Sequence, residues 1–423
     1  MTIRPSIRTA ASGLALLLAT CAPPEPEGPA PSPELPAPQG VSEPEIRVGL
    51  VTGAGKVVLR SSAPLTLLGP EGGLIGDAPP ATAWTVVTDG SGLALIAPDG
   101  WRSARQAGIT VAATSPATSI NLGERGYRGR LELARDDRGI TVVNRLGVES
   151  YLAGVLSAEM GKRDSTDTEA LNAQAVVSRT FAIRNLGKRR AVGFDLYASV
   201  SDQVYGGIAS ETPMAWDAVR QTTGQVITWQ GALIDAFFHS TCGGRTADGT
   251  EIFVGANRPY LKSVADVDEN GQAYCRISPR YQWRQEWTRA ELVATLQKTL
   301  PDEGLVPAGS VTDVRAVRVV SRTVSDRADK VEIDVGSRIV TVSGPDIRQV
   351  LRMSGDALLR STRFSLSEQY EGTRLVGLVA DGGGAGHGVG FCQWGAVGRA
   401  RAGQQFPQIL QAYFPGTELQ RLY

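Results

Sequence analysis

Glu159, His239 and His387 are the residues whose type and setting best suit chemistry in this 423-residue chain. Glu159 closes the run VESYLAGVLSAEM (148–160), directly before Gly161. A carboxyl at a helix end, beside a glycine break and held by small residues, is well placed to present an acid to a cleft. Without support from other groups the same residue is an ordinary surface glutamate. The chain has only 2 histidines, His239 in HSTCGGRT and His387 in GHGVG. Both lie among small residues that allow close backbone approach, and imidazole is the side chain that titrates nearest neutrality.

Two other chemistries fail on spacing. A Ser-His-Asp hydrolase needs a nucleophile elbow, but no G-x-S-x-G occurs and Ser240, beside His239, lacks the strand-to-helix turn. The glycine run 382–390 has neither G-x-G-x-x-G spacing nor a Walker lysine, so it is not a phosphate loop. With Cys21 set aside, the 4 cysteines leave an odd set, Cys242, Cys275 and Cys392. We read Cys242 and Cys275 as a disulfide or paired thiols, with Cys392 free. The alternative is zinc held by His239, Cys242 and Cys275, whose H-x-x-C spacing offers three donors and no obvious fourth.

These residues need elements to position them. The stretch 148–183 reads as two helices joined by a short polar connector. Leu152, Val155 and Leu156 lie on the apolar side of the first. Thr166 and Glu169 form a capping-box pattern for the second, where Ala170, Ala173, Val177 and Phe181 recur at helical spacing. Upstream, 45–50, 57–59, 65–68, 84–87, 93–96, 120–122, 129–133 and 140–144 read as short strands between turn residues. Downstream, we expect a helix over 215–223, a hairpin around Gln230-Gly231, and a helix over 288–300 with its own capping box, Thr288 to Glu291. Strands over 314–320 and 330–342, a short helix near 346–353 and a final helix over 406–414 complete the pattern. The fold class is α+β, a β-rich N-terminal region (45–145) followed by a mixed domain with a helical pair and Gly-rich loops (146–423).

The amino end is not fold. Arg4 and Arg8 precede the apolar run ASGLALLLAT and Cys21, the pattern of a secretory signal over residues 1–21. The run is shorter than the ~20 residues a membrane-spanning helix needs. Leu18-Ala19-Thr20-Cys21 resembles a lipobox, which makes Cys21 a candidate for lipidation. Residues 22–44, with proline at every second or third position, form a semi-rigid linker. The chain is expected to be exported to the cell envelope or periplasm and to meet a membrane only through a lipid anchor. Lys+Arg and Asp+Glu balance at 43 each, which gives no bias toward nucleic acid.

With these stretches side by side, the chain resembles the stage II sporulation protein D family (SpoIID/LytB domain). The resemblance rests on IRVGL (46–50), VESYLAGVLSAEM (148–160), EALNAQAVVSRTFAI (169–183), HSTCGGRT (239–246), PYLKSV (259–264), LLRSTRF (358–364) and GHGVGFCQWGAVGRARAG (386–403). It implies a catalytic domain over 146–423 with an α/β insertion at about 280–360. It also implies a peptidoglycan lytic transglycosylase with Glu159 as acid/base, or a non-catalytic amidase enhancer that works with an N-acetylmuramoyl-L-alanine amidase. The ligand is glycan strand, contacted by His239, Ser240, Thr241, Arg245, His387 and Gln393. No cofactor is called for, zinc being the one alternative. Two departures stand out. The family often has Pro and then Trp soon after Glu-Met, where this chain has Gly161-Lys162-Arg163-Asp164. Some relatives carry C-P-Y-C where this chain has Gln272-Ala273-Tyr274-Cys275, which removes a fourth thiolate.

Overall fold

The computed structural model describes residues 41–115 and 118–423. The expected signal, Cys21 and almost all of the Pro-rich linker lie outside the described residues. The last linker residues do not: the amide of Glu149 donates to Glu43 Oε1 at 2.7 Å, and the amide of Val148 to the Pro44 carbonyl. Helix α1 (Val148–Met160) begins at Gly147, which has no side chain to cap it, so Glu43 satisfies one of its first free amides.

The fold is α+β, as expected. Seven strands form one sheet in the order 196–197, 45–54, 139–147, 130–136, 108–113, 65–68, 74–78. A five-stranded sheet, 92–96, 84–89, 56–60, 120–122 and 125–127, packs into the same core. The alternation of Leu131 and Leu133 with Glu132, or of Val57 and Leu59 with Val58, puts one face of each strand inward. Strand Gly139–Gly147 runs straight into α1 and so fixes where that helix starts. Helix α2 (Thr168–Arg184) follows after one turn of 3₁₀ helix.

Helix α2 is more deeply embedded than an apolar stripe implies. Every residue from Ala170 to Thr180 is buried, whereas Phe181 is only half-buried. Its small residues allow neighbours to close on all sides, and its polar residues find partners inside. Arg179, fully buried, pairs with Glu149 of α1 at 2.6 Å and donates to the Gln225 carbonyl at 3.1 Å. The Thr166–Glu169 capping box is not formed. Asp164 accepts from the Thr166 amide at 2.9 Å, and Glu169 reaches across the chain to the Phe406 amide at 2.7 Å. The Thr288–Glu291 box is present.

A second apolar core, between Trp283 and Ala380, combines the helix Arg289–Asp302 with two three-stranded sheets. In one, Arg374–Gly383 lies between Gln282–Thr288 and Phe364–Glu371. The central strand matters most for function, because its end delivers Gly384-Ala385-Gly386-His387 to the first core.

Candidate active site

Glu159 lies in the last turn of α1, half-buried. Its Oε1 accepts from the Val204 amide at 2.7 Å, and Gln393 Nε2 lies 3.5 Å from Oε2. Burial raises its pKa, against the lowering effect of the Val204 amide and of Gln393. The site therefore holds a carboxyl that keeps its proton to higher pH than a solvated glutamate.

The segment that supplies Val204 is seated on α1. The Gly206 amide donates to the Gly154 carbonyl, and the Tyr205 ring covers Gly154 so closely that a Cβ there would lie 2.5 Å from Cε2. The Tyr151 hydroxyl donates to Gln203 at 3.1 Å and the Tyr205 hydroxyl to Asn144 at 2.9 Å. Gly154→Ala is expected to cost about 1–3 kcal/mol by overpacking and to pull the Val204 amide from Glu159. Urea denaturation together with the pH profile of activity checks this. Unchanged stability would mean that the segment is not seated as described. Sequence reading passed over Gln203, Val204 and Tyr205. The one available signal was a glycine in mid-helix, whose usual reason is a close approach.

Gln393 comes from the second glycine-rich motif. Phe238–His239 pairs in parallel with Phe391–Cys392, and Thr241 with Ala385, so the two histidine loops are zipped together. The Trp394 amide donates to the Ser240 carbonyl at 3.0 Å. Sequence reading left 386–403 as a glycine-rich stretch, but Gln393–Arg401 is a helix. Its glycines mask it and are required by contact: a Cβ at Gly395 would lie 2.1 Å from the Tyr413 hydroxyl and 2.2 Å from Asp266. The two basic residues that follow Glu159 differ in exposure. Arg163 stacks on Trp394 at 4.3 Å, its side chain almost wholly covered, while Lys162 is exposed.

The remaining site residues divide by exposure. Ser240 is half-buried and Arg245 exposed. Thr241 is buried, its hydroxyl 2.8 Å from Ser278. His387 donates from Nε2 to the Phe238 carbonyl at 2.7 Å and accepts at Nδ1 from the Val389 amide at 3.1 Å, so both nitrogens hold backbone. His239 is 4% exposed, with Nδ1 on the Val389 carbonyl at 3.2 Å and Nε2 buried without a partner. Burial pushes the pKa of His387 down to about 4 and that of His239 well below its ordinary value, so both rings are neutral at pH 7.

The cysteines bear out paired thiols at Cys242 and Cys275 and correct the donor set expected around them. Cys242 and Cys275 lie with sulfurs 3.6 Å apart, adjacent thiols without a bond. His239 is not with them: the donors that converge on these sulfurs are Cys392 and Asp266. The strand ladder explains why, since it turns Cys392 toward Cys242 and leaves His239 facing His387, with ring centres 5.5 Å apart.

Fold and site thus define an α+β protein whose half-buried carboxyl is held by the Val204 amide and by Gln393, which follows the second of two paired glycine-rich loops. The family model for "Stage II sporulation protein" matches residues 136–229, which carry α1, α2 and Glu159, and a domain of unknown function (DUF8618) matches 272–390. Stage II sporulation protein D of Bacillus amyloliquefaciens is 30% identical over 292 residues, 66% of this chain and 75% of that protein. Its counterpart from Bacillus subtilis is 28% identical over 301 residues, 66% of this chain and 75% of that protein. The amidase enhancer of B. subtilis is 27% identical over 306 residues, 63% of this chain, which spans 40% of that protein's length. The chain belongs to the stage II sporulation protein D (SpoIID/LytB) family, whose function is cell-wall related.

Proposed function

We propose that this protein is a peptidoglycan lytic transglycosylase that cleaves between N-acetylmuramic acid and N-acetylglucosamine with Glu159 as its single acid/base. The observation that carries this reading is the Glu159 carboxyl, raised in pKa by burial and gripped by the Val204 amide. Protonated Glu159 donates to the glycosidic oxygen as the C1–O bond breaks and positive charge develops at C1. The muramyl C6 hydroxyl attacks C1 and returns its proton to Glu159, leaving a 1,6-anhydro end. The nucleophile arrives on the substrate, so neither a second carboxylate nor a cofactor is called for.

The acids nearest in sequence have other duties, which favours this reading over hydrolysis. Asp167 is buried and paired with Arg401 at 2.8 Å, Asp164 caps a turn and Glu169 holds Phe406. In this reading Gln393 orients Glu159, and Ser240 and Arg245 contact sugar. His239, Thr241 and His387 shape the loops from beneath. Export and lipidation at Cys21 belong to the same proposal, and intact-mass measurement of the mature envelope protein tests them.

The deciding experiment is mass spectrometry of the products from purified glycan, intact and peptide-stripped. Anhydro-muramyl ends support the proposal, and reducing ends would make the protein a hydrolase. A second reading is favoured by the relative named amidase enhancer: a non-catalytic module that recruits an N-acetylmuramoyl-L-alanine amidase to glycan. It predicts no cleavage of either substrate, with amidase stimulation untouched by Glu159→Gln.

A further inference from the structure

Behind the two histidine loops, three sulfurs and one carboxylate meet. Cys242, Cys275, Cys392 and Asp266 are each 0% exposed, and their ligand atoms all lie within 4.8 Å of one another. They arrive from four segments, namely the HSTCGG loop, the strand-like stretch at Asp266, the turn Tyr274–Ile277 and the start of the Gln393 helix. The Cys242–Cys275 separation of 3.6 Å is far from the ~2.05 Å of a disulfide. It is close to the ~3.8 Å between two sulfurs bound tetrahedrally to zinc at ~2.3 Å each.

The backbone supplies hydrogen bonds to sulfur. Backbone amides point at sulfur: Cys242 to Cys392 at 3.1 Å, Gly395 to Cys392 at 3.3 Å and Gly244 to Cys242 at 3.3 Å. Asp266 is oriented from behind, its Oδ1 taken by Arg399 at 3.0 Å and the Tyr413 hydroxyl at 2.8 Å, so Oδ2 faces the sulfurs, 3.2 Å from Cys242. Such outer partners are what hold a metal ligand in place.

Arg327 is the independent pointer. It is 1% exposed, forms no ion pair among the described residues, and its Nε has no partner. Its Nη2 donates to the Cys242 carbonyl at 3.3 Å. A buried cation with no carboxylate in ion-pair contact is costly, and Glu251 reaches Arg327 only through space. Three thiolates, a carboxylate and one divalent ion leave two negative charges, which Arg399 and Arg327 match.

We propose that Cys242, Cys275, Cys392 and Asp266 form a closed, four-coordinate zinc site that locks the two histidine loops to the start of the Gln393 helix. On binding, three S–H protons leave as three zinc–sulfur bonds form, Asp266 supplies the fourth ligand, and nothing is oxidised or reduced. No position stays open for water, so the metal is structural. It holds Gln393 where Glu159 needs it.

The test uses the full chain carrying Cys21→Ser, purified without chelator, so that the remaining thiols are these three. About one zinc per chain is expected, with the three thiols reacting with Ellman's reagent only after denaturant and chelator are added together. Cobalt exchanged into the folded protein should give thiolate-to-cobalt charge-transfer absorption, weakened in Cys392→Ser and in Asp266→Asn. A mapped Cys242–Cys275 disulfide with one remaining thiol and no metal would overturn the proposal. So would three freely reactive thiols in folded protein, or full zinc content in both variants. The wild-type metal content, thiol count and cobalt spectrum decide the matter even where a variant fails to fold.

Discussion

Glu159→Gln is expected to lower glycan cleavage by about 10²–10⁴-fold, the usual contribution of a general acid/base. Glutamine keeps the shape and can still accept from the Val204 amide, but it has no proton to give. The wild-type rate should fall as pH rises through the Glu159 pKa, which burial has raised. Loss of activity must not be loss of fold, and linkage supplies the control. A carboxyl whose pKa is raised on folding contributes stability that is fully present below its unfolded pKa and lost as pH rises through the folded one. Glu159→Gln should therefore match wild type in acid and be the more stable protein at neutral pH. Urea midpoints at both pH values check this. Full cleavage by a well-folded variant would remove Glu159 from the mechanism.

Arg179→Ala is expected to destabilise the fold by about 3–5 kcal/mol, because it strips a buried ion pair of one partner. Arg179 is 0% exposed and its guanidinium also donates to Thr222, Val219 and Gln225. The Glu149 carboxylate left behind keeps the Gly224 amide at 3.1 Å and the Tyr423 hydroxyl at 2.7 Å but loses its one ion-pair partner among the described residues. A double-mutant cycle with Glu149→Gln measures the coupling. Denaturant unfolding that puts the single substitution below ~1 kcal/mol, as for a surface pair, would contradict the assignment.

The legible parts of this protein were those in which local pattern and tertiary demand agree. The strands at 45–50, 57–59, 65–68 and 93–96 alternate or run apolar, and the helices at 148–160 and 168–184 repeat at helical spacing. Glu159 could be singled out because it ends such a helix. The Thr166–Glu169 misreading shows the limit: the pattern for a cap was present, but a distant amide at Phe406 claimed the glutamate. Strands 282–288 and 364–371 were missed because Gln, Arg, Glu and Ser fill their outward positions, and one apolar face of two or three residues is a weak signal. The Gln393 helix was hidden by Gly395 and Gly398, which lower helix propensity and are present for packing. Long-range pairing escaped altogether. Nothing local tells His239 that its ladder partner is Cys392, so the groups that gather around the cysteine sulfurs could not be read correctly from spacing.

The acid and the glutamine beside it stand 234 residues apart in the chain, and the two strands that join their loops pair across about 150. Closing loops of that length is slow, because entropy is lost before any contact repays it. The helical pair can form early and Val204 lies only 45 residues beyond Glu159, but Gln393 reaches the acid only after part of the last tenth of the chain has been made and has docked. A fragment ending before Gln393 therefore carries Glu159 without its glutamine partner and without the strand pairing that joins the two histidine loops.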